Sequence, residues 1–193
     1  MLELQALAQA RLLIDGTSRT LYTPCMSSET DLLAALRRYW GYDSFRPLQE
    51  RIVRSLLEGH DTCVVMPTGG GKSLCYQLPA AILLGKTAVV ISPLIALMQD
   101  QVAQLAQMGI VAALLNSSLA GDQQSVVMRK ASEGQYRLLY LSPERLARAD
   151  TVSWLQRVPI SFFTIDEAHC ISEWGARVST GIPAVELPAA PFS

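Results

Sequence analysis

Two short stretches of this chain hold residues whose types and spacing could do chemistry. The first is Met66-Pro67-Thr68-Gly69-Gly70-Gly71-Lys72-Ser73, which joins an apolar run to a helical pattern. Consecutive glycines let the backbone curl until several N–H groups face one anion, and the N-terminus of the following helix adds its positive end. Lys72 is then placed to neutralise the β and γ phosphates of a nucleotide, and Ser73 to hold Mg²⁺. The strict phosphate-loop pattern begins with glycine, where this chain has Met66. A glycine-rich turn without a ligand is the bland alternative; strand, Lys-Ser and helix occurring together argue against it.

The second stretch lies about ninety residues further on. Ser161-Phe162-Phe163-Thr164-Ile165 runs into Asp166-Glu167-Ala168-His169. A buried parallel strand here would deliver Asp166 to the carboxyl edge of a sheet, where ligands of open α/β folds bind. Asp166 could hold Mg²⁺ directly or through water, and Glu167 could orient and deprotonate an attacking water. A cation beside the pair offsets the repulsion that would otherwise raise one carboxyl pKa. Alone, an Asp-Glu pair is usually a solvated loop.

The elements that must position these residues follow from periodicity. Leu32, Leu33, Leu36 and Tyr39 recur at helical spacing, and Pro47 to Leu57 reads as a second helix with proline near its start. Thr62–Met66, Thr87–Ile91, Val111–Leu115, Arg137–Leu141 and Ile160–Ile165 read as strands. Lys72–Leu84, Pro93–Met108 and Gly121–Ser132 read as helices between them. Such alternation implies an α/β domain with a mostly parallel sheet and helices on both faces. At 193 residues, 50% hydrophobic, the chain can bury one sizeable core. A net charge of −1 provides no global basic field, so any contact with nucleic acid must be local. Cys25, Cys63, Cys75 and Cys170 form no CxxC pair and read as reduced thiols rather than a zinc site. No run is long enough for a membrane span.

Several further motifs make the chain resemble the RecQ family of DNA helicases. Tyr42-Asp43-Ser44-Phe45-Arg46-Pro47-Leu48-Gln49 is similar to the element that family places ahead of its phosphate loop. Pro67 to Ala80 resembles its first motif, and the Thr-Gly-Gly-Gly-Lys-Ser variant is common among helicase motors. Ser92-Pro93-Leu94-Ile95-Ala96-Leu97-Met98 resembles motif Ia, and Leu141-Ser142-Pro143-Glu144-Arg145 the Pro-Glu-Arg element. Asp166 to Gly175 resembles motif II running into an aromatic-rich loop. The resemblance covers about residues 28–175.

That resemblance implies the first RecA-like domain of a P-loop NTPase, using ATP and Mg²⁺ and acting on single-stranded or partly duplex DNA. Tyr42 and Arg46 would sandwich the adenine, and Gln49 would hydrogen-bond its edge with one donor and one acceptor. Core packing is the alternative for Tyr42 and Phe45. Ser92, Asn116 and Ser142 would lie near DNA phosphates, where small hydroxyl and amide donors suit sequence-blind contacts; turn and capping roles are as common for these types. Trp174 would meet DNA, or plug a hydrophobic gap. His169 would be either a hydrogen-bonding partner behind the carboxylates or a structural histidine. The implied activity is ATP-dependent 3′–5′ DNA unwinding in repair and recombination, in the bacterial cytosol or nucleoid. A catalytically dead module binding ATP and nucleic acid is the alternative. An RNA helicase fits Tyr42–Gln49 and Cys170–Gly175 less well, and a P-loop kinase has no reason to carry Ser-Pro-Leu or Asp-Glu-Ala-His.

The ends depart from the family. Residues 1–26 read as a non-family extension, either an amphipathic helix or sequence upstream of a start at Met26. After Gly175 the expected family continuation is absent, and 176–193, with three prolines, reads as an aberrant tail. A one-nucleotide shift permits His-Glu-Phe-Arg-Pro-Glu-Tyr there, so a frameshift is the expectation. The domain at 27–175 would then be incomplete at its C-terminus, lacking motif III and the second RecA-like domain with its arginine finger. Marginal stability and aggregation are expected, because the strands at Thr62–Met66 and Ile160–Ile165 would lack the neighbour that belongs between them.

Overall fold

A computed structural model of the chain describes residues 29–166, apart from Thr68 and Ser117. Its helices are α1 (Glu29–Trp40), α2 (Gln49–Leu57), α3 (Lys72–Ile82), α4 (Ile95–Gln107), α5 (Gly121–Ser132), α6 (Pro143–Leu146) and α7 (Ala149–Leu155). Its strands are β1 (Thr87–Ile91), β2 (Ala112–Leu115), β3 (Leu138–Leu141) and β4 (Ile160–Ile165). They pair in parallel in the order β2-β3-β1-β4. Every residue of β1 and β3 is buried, the signature of parallel strands covered on both faces.

Alternate side chains divide between two cores. Ala88, Val90, Leu138 and Tyr140 face one, which α3 and α4 close with Tyr76, Ala80, Met98 and Leu105. Val89, Leu139 and Leu141 face the other, closed by Ala131 of α5 and Trp154 and Leu155 of α7. A third cluster of Leu32, Leu36, Val53, Leu74 and Leu78 packs α1 and α2 onto α3. The expected α/β architecture, a parallel sheet with helices on both faces, is therefore what the chain forms.

One expected element is not there. Thr62–Met66 is not a strand, and Val65 is 90% exposed. Its composition favours a strand, but a strand exists only by hydrogen bonding to a neighbour, and none is available among the described residues. β4 shows the other side of the same gap. Among the described residues it is an edge strand, as β2 is, paired with β1 alone, and all six of its residues are only half-buried.

The helix boundaries shift for reasons of backbone chemistry. α2 begins two residues after Pro47, because Leu48 takes a left-handed conformation with φ of 70°. α4 likewise begins after Pro93, at Ile95. Two short helices, α6 and α7, were not expected, although Ser142 followed by Pro143 is a helix-start signal. No helix among the described residues is long and apolar enough to cross a membrane. The expected domain limits at 26/27 and 175/176 lie outside the described residues.

Candidate functional site

The register of the sheet sets out four side chains in a row. Ile91 is level with Leu141 and Ile165, and Leu141 is level with Leu115. The next residue on each strand therefore falls at the carboxyl edge, in the order Asn116, Ser142, Ser92, Asp166. Backbone bonds continue past the strand ends: the Ser92 N–H donates to the Leu141 carbonyl at 3.1 Å and the Asp166 N–H to the Ile91 carbonyl at 2.9 Å.

The glycine turn lies against the Asp166 end of this row. Gly69 and Gly71 have φ of 79° and 82°, a region L side chains rarely adopt. A Cβ on Gly70 would fall 2.9 Å from the Pro67 carbonyl, whose oxygen accepts the Gly70 N–H at 3.0 Å, and one on Gly71 would meet the Gln49 amide. The turn is thus built around the absence of side chains. Met66 at its first position is half-buried and Pro67 exposed, so the missing leading glycine does not prevent the turn closing. Lys72 and Ser73 open α3, and both line a cavity of about 510 Å³ together with Asp166. The lysine and the acidic strand end meet at one site.

Tyr42, Arg46 and Gln49 line the same cavity. Arg46 Nη1 donates to the Gly69 carbonyl at 2.6 Å. Gln49, 3% exposed, accepts from the Arg46 N–H at 2.9 Å and donates from Nε2 to the Gly71 carbonyl at 3.2 Å. The element ahead of the loop is hydrogen-bonded to the loop itself, a connection that residue types alone did not suggest. Tyr42 is 51% exposed and free of the core, whereas Phe45 packs against the α1–α3 cluster, as its alternative reading had it.

The remaining strand-end residues turn inward. Ser92, Asn116 and Ser142 are 1%, 0% and 3% exposed. Ser142 caps α6, its Oγ accepting the Arg145 N–H at 3.3 Å. Asn116 Oδ1 accepts from the N–H and Oγ of Ser118 at 3.3 and 2.9 Å. Asn116 Nδ2 and Ser92 Oγ are buried without hydrogen-bond partners among the described residues. Thr68, Glu167, His169 and Trp174 lie outside the described residues.

Sequence reasoning gave no role to Gln77, Gln101 or Trp40, which also line the cavity. Gln77 is four residues beyond Ser73 on α3, hence on the same helix face, and that spacing was readable. Beneath the cavity lie two buried tyrosines. Burial, followed by the Tyr140 and Asp166 charges, pushes the Tyr76 hydroxyl pKa up. Burial, with Asp166 adding to it, pushes Tyr140 up to about 12, while its Gln77 hydrogen bond acts the other way. Asp166 is thus felt by both phenols. The donor set suits a magnesium nucleotide: a hydroxyl and a carboxylate for the cation, a lysine and glycine backbone for phosphate.

Comparison with known proteins agrees with this geometry. The profile of the family described as DEAD/DEAH box helicase matches residues 46–185. The chain is 50% identical over 143 residues to an ATP-dependent DNA helicase RecQ of Haemophilus influenzae, covering 74% of this chain and 23% of that protein. It is 49% identical over 147 residues to a probable ATP-dependent DNA helicase RecS of Bacillus subtilis, covering 76% and 29%. To the RecQ-like DNA helicase blm-1 of Caenorhabditis elegans it is 40% identical over 152 residues, covering 75% and 15%. The chain therefore spans less than a third of the length of these relatives. A glycine turn, a lysine and an acidic strand end gathered in one cavity, on a chain this similar to RecQ helicases, place it in the DEAD/DEAH box helicase family, among its RecQ-type members.

Proposed function

We propose that the chain is the ATP-binding part of a RecQ-type DNA helicase that moves 3′–5′ on single-stranded or partly duplex DNA, in repair and recombination. The observation that carries this reading is the single cavity lined by Tyr42, Arg46, Gln49, Lys72, Ser73 and Asp166. Tyr42 and Arg46 hold the adenine between them, and Gln49 reads its edge with its second amide hydrogen and second oxygen lone pair while keeping its bond to the Gly71 carbonyl. The loop from Met66 through Thr68 to Gly71 turns backbone N–H groups toward the phosphates, and Lys72 neutralises their charge. Ser73 and Asp166 would hold Mg²⁺, which supplies charge stabilisation at the transferring phosphoryl group. Glu167 orients the water and takes its proton, with His169 as its hydrogen-bonding partner.

DNA crosses the carboxyl edge over the row Asn116, Ser142, Ser92. The buried side chains of these three shape the turns, and the neighbouring backbone and Trp174 meet the strand. The protein works in the cytosol or nucleoid. A second reading is a module that binds ATP and nucleic acid without turning ATP over. Titration of a fluorescent ATP analogue, followed by phosphate release with and without single-stranded DNA, tests both. Saturable binding that Lys72→Ala abolishes supports the nucleotide site, and DNA-stimulated release separates the enzyme from the binding module. An unchanged affinity in Lys72→Ala would overturn the assignment.

A further inference from the structure

One amide lining the cavity joins α3, β3 and α4, each of which carries or runs close to a candidate site residue. Gln77 lies on α3, the helix that opens with Lys72 and Ser73, and is 5% exposed. Its Nε2 donates to the Tyr140 hydroxyl at 3.1 Å and to Gln101 Oε1 at 2.5 Å. Tyr140 is on β3 two residues before Ser142, and Gln101 is on α4, the helix that follows Ser92. In register, Tyr140 is level with Val90, and Val90 with Thr164, two residues before Asp166. The Tyr76 hydroxyl lies buried beside Ser73 and Tyr140.

The surroundings make a polar junction here costly. Tyr76, Ala80, Val90, Met98 and Leu105 pack around it, and an all-apolar contact would bury as well without desolvating an amide. Burying polar groups gives direction that apolar packing lacks: both amide hydrogens are satisfied only when α3 sits at one rotation and height over β3 and α4. Ser73, one helical turn before Gln77 on the same face, is carried with that rotation. Its distance from Asp166 is set the same way.

We propose that Gln77 is a positioning residue, locking the rotation of α3 so that the Ser73 hydroxyl and the Asp166 carboxylate converge on one metal ion. The inference deepens the nucleotide-site reading and rests on it. Gln77 touches no nucleotide phosphate in this role; it acts through Ser73.

The test uses the 193-residue chain and the variants Gln77→Met and Tyr140→Phe. The first readout is the affinity for a fluorescent ATP analogue with Mg²⁺ and with chelator, expressed as the ratio of the two. The expected result is a ratio of tenfold or more in the parent chain, falling at least fivefold in Gln77→Met and by less in Tyr140→Phe. A variant ratio within twofold of the parent, in protein that melts cooperatively, overturns the proposal. The second readout is amide hydrogen exchange across residues 72–76, which should quicken in both variants relative to β1. Unchanged exchange there also overturns it. Should Gln77→Met fail to fold, Tyr140→Phe, which removes one oxygen, decides both readouts. A parent chain that binds no analogue sinks the nucleotide reading, while the exchange result still decides whether Gln77 locks the helix.

Discussion

Replacing Gly71 with alanine should weaken nucleotide binding far more than the same change at Gly69, and the difference can be worked from the two environments. Both glycines are left-handed, at φ of 82° and 79°. Holding alanine there costs about 1–2 kcal/mol through the clash of Cβ with the neighbouring carbonyl. At Gly69 a Cβ meets nothing within 4 Å, so strain is the whole effect. At Gly71 the new Cβ runs into the Gln49 amide, whose Nε2 donates to the Gly71 carbonyl. Gln49 is buried, and displacing its donor from that bond costs a further ~1–3 kcal/mol. At about 1.4 kcal/mol per tenfold, Gly69→Ala should lose roughly 5- to 30-fold in affinity and Gly71→Ala at least a further fivefold. Fluorescence polarisation with an ATP analogue measures both. Gly59→Ala is the control, since Gly59 is equally left-handed, opens on empty space and does not line the cavity. It should lower the melting temperature without changing affinity. Equal losses at Gly69 and Gly71 would refute the idea that Gln49 and the loop are one mechanical unit.

Other perturbations reach the rest of the molecule. Burial pushes the Cys75 thiol up to about 11, so its contribution to stability is full below the ordinary thiol pKa and is lost as pH rises toward 11. Melting curves from pH 8 to 11 should show this alkaline loss, shallower in Cys75→Ala, and a parallel course in the two proteins would contradict it. Val65→Lys should shift stability by less than ~0.5 kcal/mol, because the side chain is 90% exposed; a large loss in a denaturant melt would mean that Thr62–Met66 is paired after all. Leu48→Gly relieves a left-handed leucine that is 57% exposed, and should leave stability unchanged or raise it by up to ~1 kcal/mol. A drop of more than 1 kcal/mol would show that the exposed leucine makes contacts that matter. Lysine in place of Ser153, exposed on α7, should be silent in every one of these assays.

What could be read before the fold was known is what depends on local chemistry. Ala88 to Ile91 and Leu138 to Leu141 are continuous apolar runs, and only a sheet covered on both faces makes use of such runs. The glycine turn was legible because positive φ and close approach leave few residue types eligible, and Asp166 because it ends an apolar strand. Thr62–Met66 misled because β-propensity describes a strand's readiness, not its partner. Leu48 misled in the opposite sense, since no leucine announces a left-handed backbone. The inward turn of Ser92, Asn116 and Ser142 was one of two open readings, because capping and phosphate contact call for the same side chains. Gln77, Tyr140 and Gln101 lie far apart in sequence, and only packing of α3 and α4 on β3 brings them into contact.

The row of strand ends has one more consequence. Neighbouring strands are spaced at ~4.8 Å, so Asn116 stands about 14 Å from Asp166, three intervals away. Hydrogen-bonded strands resist stretching across the sheet, which makes that interval a ruler fixed by backbone alone. A polymer lying on the far end and a phosphate group at the near end would be kept at constant separation whatever side chains lie between. Relative motion between them must then come from the helices and turns above the sheet.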